Sequence, residues 1–175
     1  VPAVNELAET EKDIRMIWRA FELRPEPAPL PDATSDYFKT MWAQSIYPLA
    51  DKLGVKMKMP TVKPYSRITH QAAKWAESKG KFDEFKSAVF RGYFERGENI
   101  GELETLLSIT KELELDTDNL RLSVKENEFL ADVLSDEQFA AEMGISGVPA
   151  FIADRRVGLS GLQTAKKLRE MIKSV

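Results

Sequence analysis

Through the middle of the chain, apolar residues recur every three or four positions, whereas strand-like patterns lie near its two ends. Ile68, Ala72, Trp75 and Ala76 form one stripe and predict a helix over 66–78, with Gly80 as its stop. Phe82, Phe85, Val89 and Tyr93 predict a second helix ending near Gly97, and Leu103, Leu106, Leu107 and Leu113 a third. Thr34 or Ser35 can cap a helix over 36–46, after which Pro48 breaks it or starts a turn closing at Leu53-Gly54. Asp116 or Thr117 caps a short helix reaching Lys125, and 127–143 completes the block. Helical stripes of aromatic and leucine residues are core faces. Ahead of this block, Val4, Leu7 and Ala8 give 1–11 helical spacing.

The strand patterns flank the helices. In 13–23, Ile14, Met16, Trp18 and Ala20 point one way and Ile17, Phe21 and Leu23 the other, which predicts a strand covered on both faces. Arg15 and Arg19 interrupt one face and read as exposed or snorkelling side chains. Prolines 25, 27, 29 and 31 then predict a stiff polyproline connector. Near the end, Gly144 stops a helix, Pro149 precedes an apolar run over 150–153, and Asp154-Arg155-Arg156 makes a turn. Val157 to Leu159 predicts a second short strand, and Ser160-Gly161 opens a helix running to the C-terminus. The helix–strand–helix order leaves the first strand's central neighbour unaccounted for.

Composition narrows the chemistry. Hydrophobic content of 43%, charged content of 30% and a net charge of −3 describe an ordinary globular chain, with no basic surplus for a nucleic acid. No apolar run approaches the length of a membrane span. With 0 cysteines and 1 histidine, the sequence offers neither a disulfide framework nor a thiolate or histidine-rich metal site. Met57 and Met59 are the remaining soft donors, and no cysteine or histidine stands near them to complete a site. No metal is expected.

Four motifs in order carry a resemblance: Trp18-Arg19-x-Phe21-Glu22-Leu23-x-Pro25; Thr69-His70-Gln71 with Trp75-Ala76; Phe90-Arg91-x-Tyr93-Phe94-x-x-Gly97-x-Asn99-Ile100-Gly101; and Gly144-Ile145-x-Gly147-Val148-Pro149-x-Phe151 with Ser160-Gly161-x-Gln163. Together they resemble the DsbA family of thioredoxin-like proteins, in its FrnE-like branch of dithiol-disulfide isomerases. The resemblance implies an α/β thioredoxin-like fold with a long all-helical insertion over 34–143, between core segments 1–33 and 144–175. It implies that the first strand and its C-x-x-C motif would lie ahead of Val1. Catalytic residues are therefore expected to be absent from this chain. The resemblance further implies a cis Val148–Pro149 peptide, with Gly147, Val148 and Pro149 holding the backbone of a thiol- or disulfide-containing protein substrate. A cytoplasmic location follows from the resemblance alone, and a homodimer is an open alternative.

Two other functions stay open. A glutathione-dependent enzyme, like kappa-class transferases and 2-hydroxychromene-2-carboxylate isomerases, would place His70, Ser160, Gly161 and Gln163 at the cleft. In that reading glutathione is the cofactor, its carboxylate held by the N–H groups of a helix starting at Ser160; in the first reading no cofactor is required. The third is a non-catalytic thioredoxin-fold module that binds partners.

Overall fold

The computed structural model describes residues 2–175, and these divide into two compact units, one of 2–23 with 135–175 and one of 24–134. The division assigns 24–33 to the helical unit and 135–143 to the sheet-bearing one, which differs from boundaries at 33 and 144.

In the first unit α1 (Pro2–Thr10) packs against the C-terminal helix α9 (Ala165–Ile172). Their apolar stripes, Val4 and Leu7 on one and Leu168 and Met171 on the other, meet Ala153 to form the core. Phe151, Val157 and Leu159 of the hairpin pack onto the same cluster, as do Ile14 and Trp18. Each large side chain buried in this way contributes about 1.5–3 kcal/mol. Arg169 links the two helices electrostatically, donating to Glu11 at 2.8 Å, Glu6 at 3.0 Å and the Thr10 hydroxyl at 2.9 Å.

The sheet is a single antiparallel hairpin, β1 (Ala150–Ala153) and β2 (Val157–Ser160), with Ala150 paired to Ser160 and Ala153 to Val157. Its turn uses Asp154 and Arg155 in the left-handed region, φ 48° and 58°, and closes with the Arg156 N–H donating to Ala153 C=O at 3.0 Å. Primed turns of this kind match the twist of the flanking strands.

Residues 13–23 are not a strand. The one ladder among the described residues is β1–β2, and a strand exists only through its partners. Here Ile14 and Trp18 are held by the core, and the Ala20 N–H donates at 2.9 Å to the side chain of Asp136. The alternating pattern records the burial and not the pairing.

Helix α8 (Leu130–Glu142) brings Asp136 and Phe139 into this unit. It ends in a Schellman motif: with Gly144 at φ 68°, Gly144 N–H donates to Ala141 C=O and Ile145 N–H to Ala140 C=O.

The second unit is helical. Residues of α4 (Arg67–Ser78), α5 (Phe82–Arg91), α6 (Leu103–Glu112) and α7 (Thr117–Lys125) surround Trp75, Phe85, Leu106, Ile109 and Leu120. Trp75 Nε1 finds the Asn119 side chain at 2.8 Å, so its one polar atom is satisfied in the core. A smaller cluster joins α2 (Asp36–Met41) to the loop beyond α3 (Tyr47–Lys52): Ala33, Phe38 and Trp42 pack with Met57, Met59 and Phe94. The methionines fill this apolar cluster.

Of the two roles open to Pro48, it takes the second: it sits in the first turn of α3, which closes at Leu53 and Gly54, while one π-helical turn, Trp42–Ile46, joins α2 to α3 without a break. The proline run is not continuous polyproline. Glu26–Pro27 is cis, and Ala28 N–H donates back to Pro25 C=O at 2.8 Å, a type VI turn.

Candidate functional site

The candidate site lies in the first unit, where the chain leaves the α8 cap and enters β1. Val148–Pro149 is a cis peptide. The Pro149 carbonyl accepts the Gly161 N–H at 2.8 Å, which extends the hairpin register by one pair beyond Ala150 and Ser160. Continued once more, that register sets Val148 opposite Leu162. Both are apolar and exposed, 54% and 60% respectively, and this lip is the part of the hairpin that its own core leaves uncovered. The Val148 N–H and C=O make no backbone hydrogen bond with any described residue.

Gly161 is glycine for a conformational reason. Its φ is 77°, where a side chain is strained although nothing lies within 4 Å of the Cβ it would carry. Gly147 has no such requirement: its φ is ordinary and the space around it is open.

Gly147, Val148, Pro149, Ser160, Gly161 and Gln163 therefore come together at one end of the hairpin. Gln163 Nε2 donates to Ser160 C=O at 2.7 Å and braces the exit of β2. His70 sits in the helical unit instead, half-buried on α4, with its backbone N–H bonded to Ser66 C=O at 2.9 Å.

The helix expected to open at Ser160-Gly161 begins later. Thr164 is the N-cap of α9, its hydroxyl accepting the Lys167 N–H at 3.2 Å. Ser160 belongs to β2, and the Gly161 N–H is committed to Pro149. These residues do not form a helix N-terminus that could hold the carboxylate of glutathione.

Asp136 belongs to no motif of the sequence, and only the fold gives it a role. It is 3% exposed and accepts both the Ala20 N–H and the Arg19 guanidinium, while Arg19 also stacks 4.3 Å from the centroid of Phe139. Arg19 is thus an anchored side chain and not a snorkelling one. Its place in an apolar alternation was the available signal, because a charge kept there calls for a partner.

Comparison with known proteins decides the family. The profile of the DSBA-like thioredoxin domain matches residues 2–173. The chain belongs to this family. A Bacillus subtilis (strain 168) relative, YwbO, is 35% identical over 155 residues, covering 86% of this chain and 77% of the relative. Among solved structures, a probable DsbA oxidoreductase from Streptomyces coelicolor superposes with a TM-score of 0.78 at 22% identity, over 98% of this chain and 80% of that one. A candidate protein disulfide isomerase from Nitrosomonas europaea gives 0.75 at 15% identity, over 99% and 87%. These likenesses show the DsbA-like thioredoxin fold, helix-rich with its small two-strand sheet. Thiol–disulfide exchange, the chemistry of DsbA oxidoreductases, needs a thiolate, and the 175 residues contain 0 cysteines.

Proposed function

We propose that these 175 residues supply the substrate-docking part of a thiol–disulfide oxidoreductase whose reacting thiols lie outside this sequence. The reading rests on one observation above the others: the exposed Val148–Leu162 lip, where Val148 offers an N–H and a C=O without backbone partners. An extended polypeptide binds such an edge by adding main-chain hydrogen bonds, and neighbouring apolar side chains give it purchase. Gly161 holds the loop from behind through the Pro149 carbonyl. The partner is then an extended thiol- or disulfide-containing protein segment.

In the chemistry that follows, a thiolate attacks one sulfur of the substrate disulfide and the other sulfur leaves as thiolate. A second thiol then releases the mixed disulfide, so the substrate is reduced as the dithiol becomes oxidised. The residues here would bind and orient the substrate; they exchange no electrons. A strand bearing those thiols would also answer the unpartnered alternation of 13–23, with exposed Met16 and Ile17 awaiting cover. The motif around Trp18, Phe21 and Pro25 favours the FrnE-like branch, and with it a cytoplasmic location.

The test is the product of the complete coding sequence. It should reduce insulin or isomerise scrambled disulfides, and Cys→Ser substitution should remove that activity. A complete product with no cysteine, binding extended peptides without exchange, would instead make the protein a non-catalytic docking module.

A further inference from the structure

Arg155 holds a backbone conformation that arginine rarely takes. With Asp154 it forms the turn between β1 and β2, and its φ is 58°. A two-residue turn of this hand favours Asn or Asp followed by Gly. Asp154 suits the first place, whereas an arginine in the second meets the Cβ strain that glycine avoids. The turn itself closes through the backbone, Arg156 N–H to Ala153 C=O, and makes no use of the Arg155 side chain.

That side chain reaches out of the hairpin. Its guanidinium lies 5.0 Å from the ring centroid of Phe139 on α8. Among the described residues it makes no hydrogen bond or ion pair, and the adjacent Asp154 is paired with Arg156 at 3.6 Å. The ring is itself held. Arg19 stacks on it at 4.3 Å and is anchored by Asp136, one helical turn earlier on α8. Asp136 also accepts the Ala20 N–H, so the group on which Arg155 rests is well fixed.

These contacts bear on the docking loop because residues 143–149 carry the chain from α8 to β1. One end of this connection is tied to the helix by the Gly144 cap, and the other is tied to β2 by Gly161. Strand β1 has four residues, so the turn and the lip lie about 10 Å apart. A hairpin free to swing at its turn would carry Pro149 and Val148 with it. The Arg155–Phe139 contact joins that turn to the same helix from which the loop departs.

We propose that Arg155 is a positioning residue for the substrate: seated on Phe139, it fixes the hairpin to α8, so that the lip presents Val148 in one place to an extended polypeptide. The proposal rests on the docking reading of that lip. Strain of this kind persists where the surrounding structure over-determines it, and it gathers at sites that bind. One consequence separates the proposal from a purely structural role. Glycine at 155 relieves the strain, so Arg155→Gly should leave the protein no less stable and yet a poorer binder.

The experiment is calorimetry of the full chain and its variants with the disulfide-linked dimer of acetyl-Val-Ala-Cys-Ala-Val-amide. Arg155→Gly should bind about fivefold more weakly, the scale of one exposed cation–π contact, with an equal or higher urea midpoint. Phe139→Leu, apolar but without an aromatic face, should weaken binding alike, and adding Arg155→Gly to it should weaken binding no further. Phe139→Trp, which keeps the face, should bind as the parent chain does. Amide hydrogen exchange of the unliganded proteins needs no peptide. The Gly161 amide, bonded to Pro149, should exchange about fivefold faster in Arg155→Gly, while the Arg156 amide inside the turn should not. A parent chain that binds no peptide while Gly161 exchange still responds removes the docking reading and leaves Arg155 as the residue that sets the lip. Affinity and Gly161 exchange both unchanged in Arg155→Gly, or affinity lost only together with stability, would overturn the proposal.

Discussion

The Gly161 N–H donates to the Pro149 carbonyl at 2.8 Å, and this bond ties the loop ahead of β1 to the exit of β2. It fixes the end of the hairpin where Val148 and Leu162 are exposed. It also removes Gly161 from any role as an open N–H donor. The pairing depends on backbone that only glycine adopts without strain, φ 77°.

Gly161→Ala should therefore destabilise the protein by about 1 kcal/mol, the cost of a left-handed alanine. Because nothing crowds the new Cβ, the effect is conformational, and bulkier side chains should cost little more. Urea unfolding of the alanine and leucine variants checks both statements.

Asp136 should be far less tolerant. It is buried, pairs with Arg19 and accepts the Ala20 N–H, so removing its carboxylate leaves a buried amide without its acceptor. Asp136→Ala is expected to cost about 1–3 kcal/mol, chiefly for the Ala20 N–H left without its acceptor, because Arg19 is 37% exposed at its side chain and water can take up its charge. Asp136→Asn, which keeps an acceptor, should cost less. A drop below about 1 kcal/mol in denaturant unfolding would contradict the anchoring role.

That residue also shows where the sequence was legible and where it was not. The helices of the second unit follow from local signals: Ser35 and Asp116 cap α2 and α7 with their own side chains, and glycines at positive φ follow α3 and α4. The hairpin was equally readable, because Pro149 and the Asp154-Arg155 turn punctuate it. Pairing across long separations is different. Alternation in 13–23 could not say whether a partner strand was present, and Arg19 did not disclose an acid 117 positions away. The start of α9 was misplaced for a simpler reason: Gly161 resembles a helix entry but serves a turn, and the cap is Thr164 three residues on.

Gly101→Ala is expected to act through overpacking. The added methyl would lie 2.6 Å from Pro64 Cβ and 2.9 Å from the Tyr65 carbonyl, neither of which can rotate away. A loss of about 1–3 kcal/mol is expected. Urea unfolding of the variant measures that loss.

The acid limb of stability should include Glu104. Its hydrogen bonds from Arg121, and then the Arg121 charge, hold its carboxyl below the ordinary value of 4.5. Glu84 is lowered by Lys81 in the same way. A depressed folded-state pKa contributes stability that is present above the unfolded value and lost as pH falls through the folded one. Glu104→Gln should thus lower the urea midpoint slightly near neutrality, and the difference should vanish as pH falls below about 4. A gap that widened in acid would contradict the pairing.

Backbone NMR of the ¹⁵N-labelled chain, titrated with an extended disulfide-containing peptide, tests the docking loop most directly. The largest shifts are expected at the Val148 amide, with Gly147, Gly161 and Leu162 following at the same midpoint. Binding that leaves those amides unmoved, or no binding by such a peptide, would contradict it.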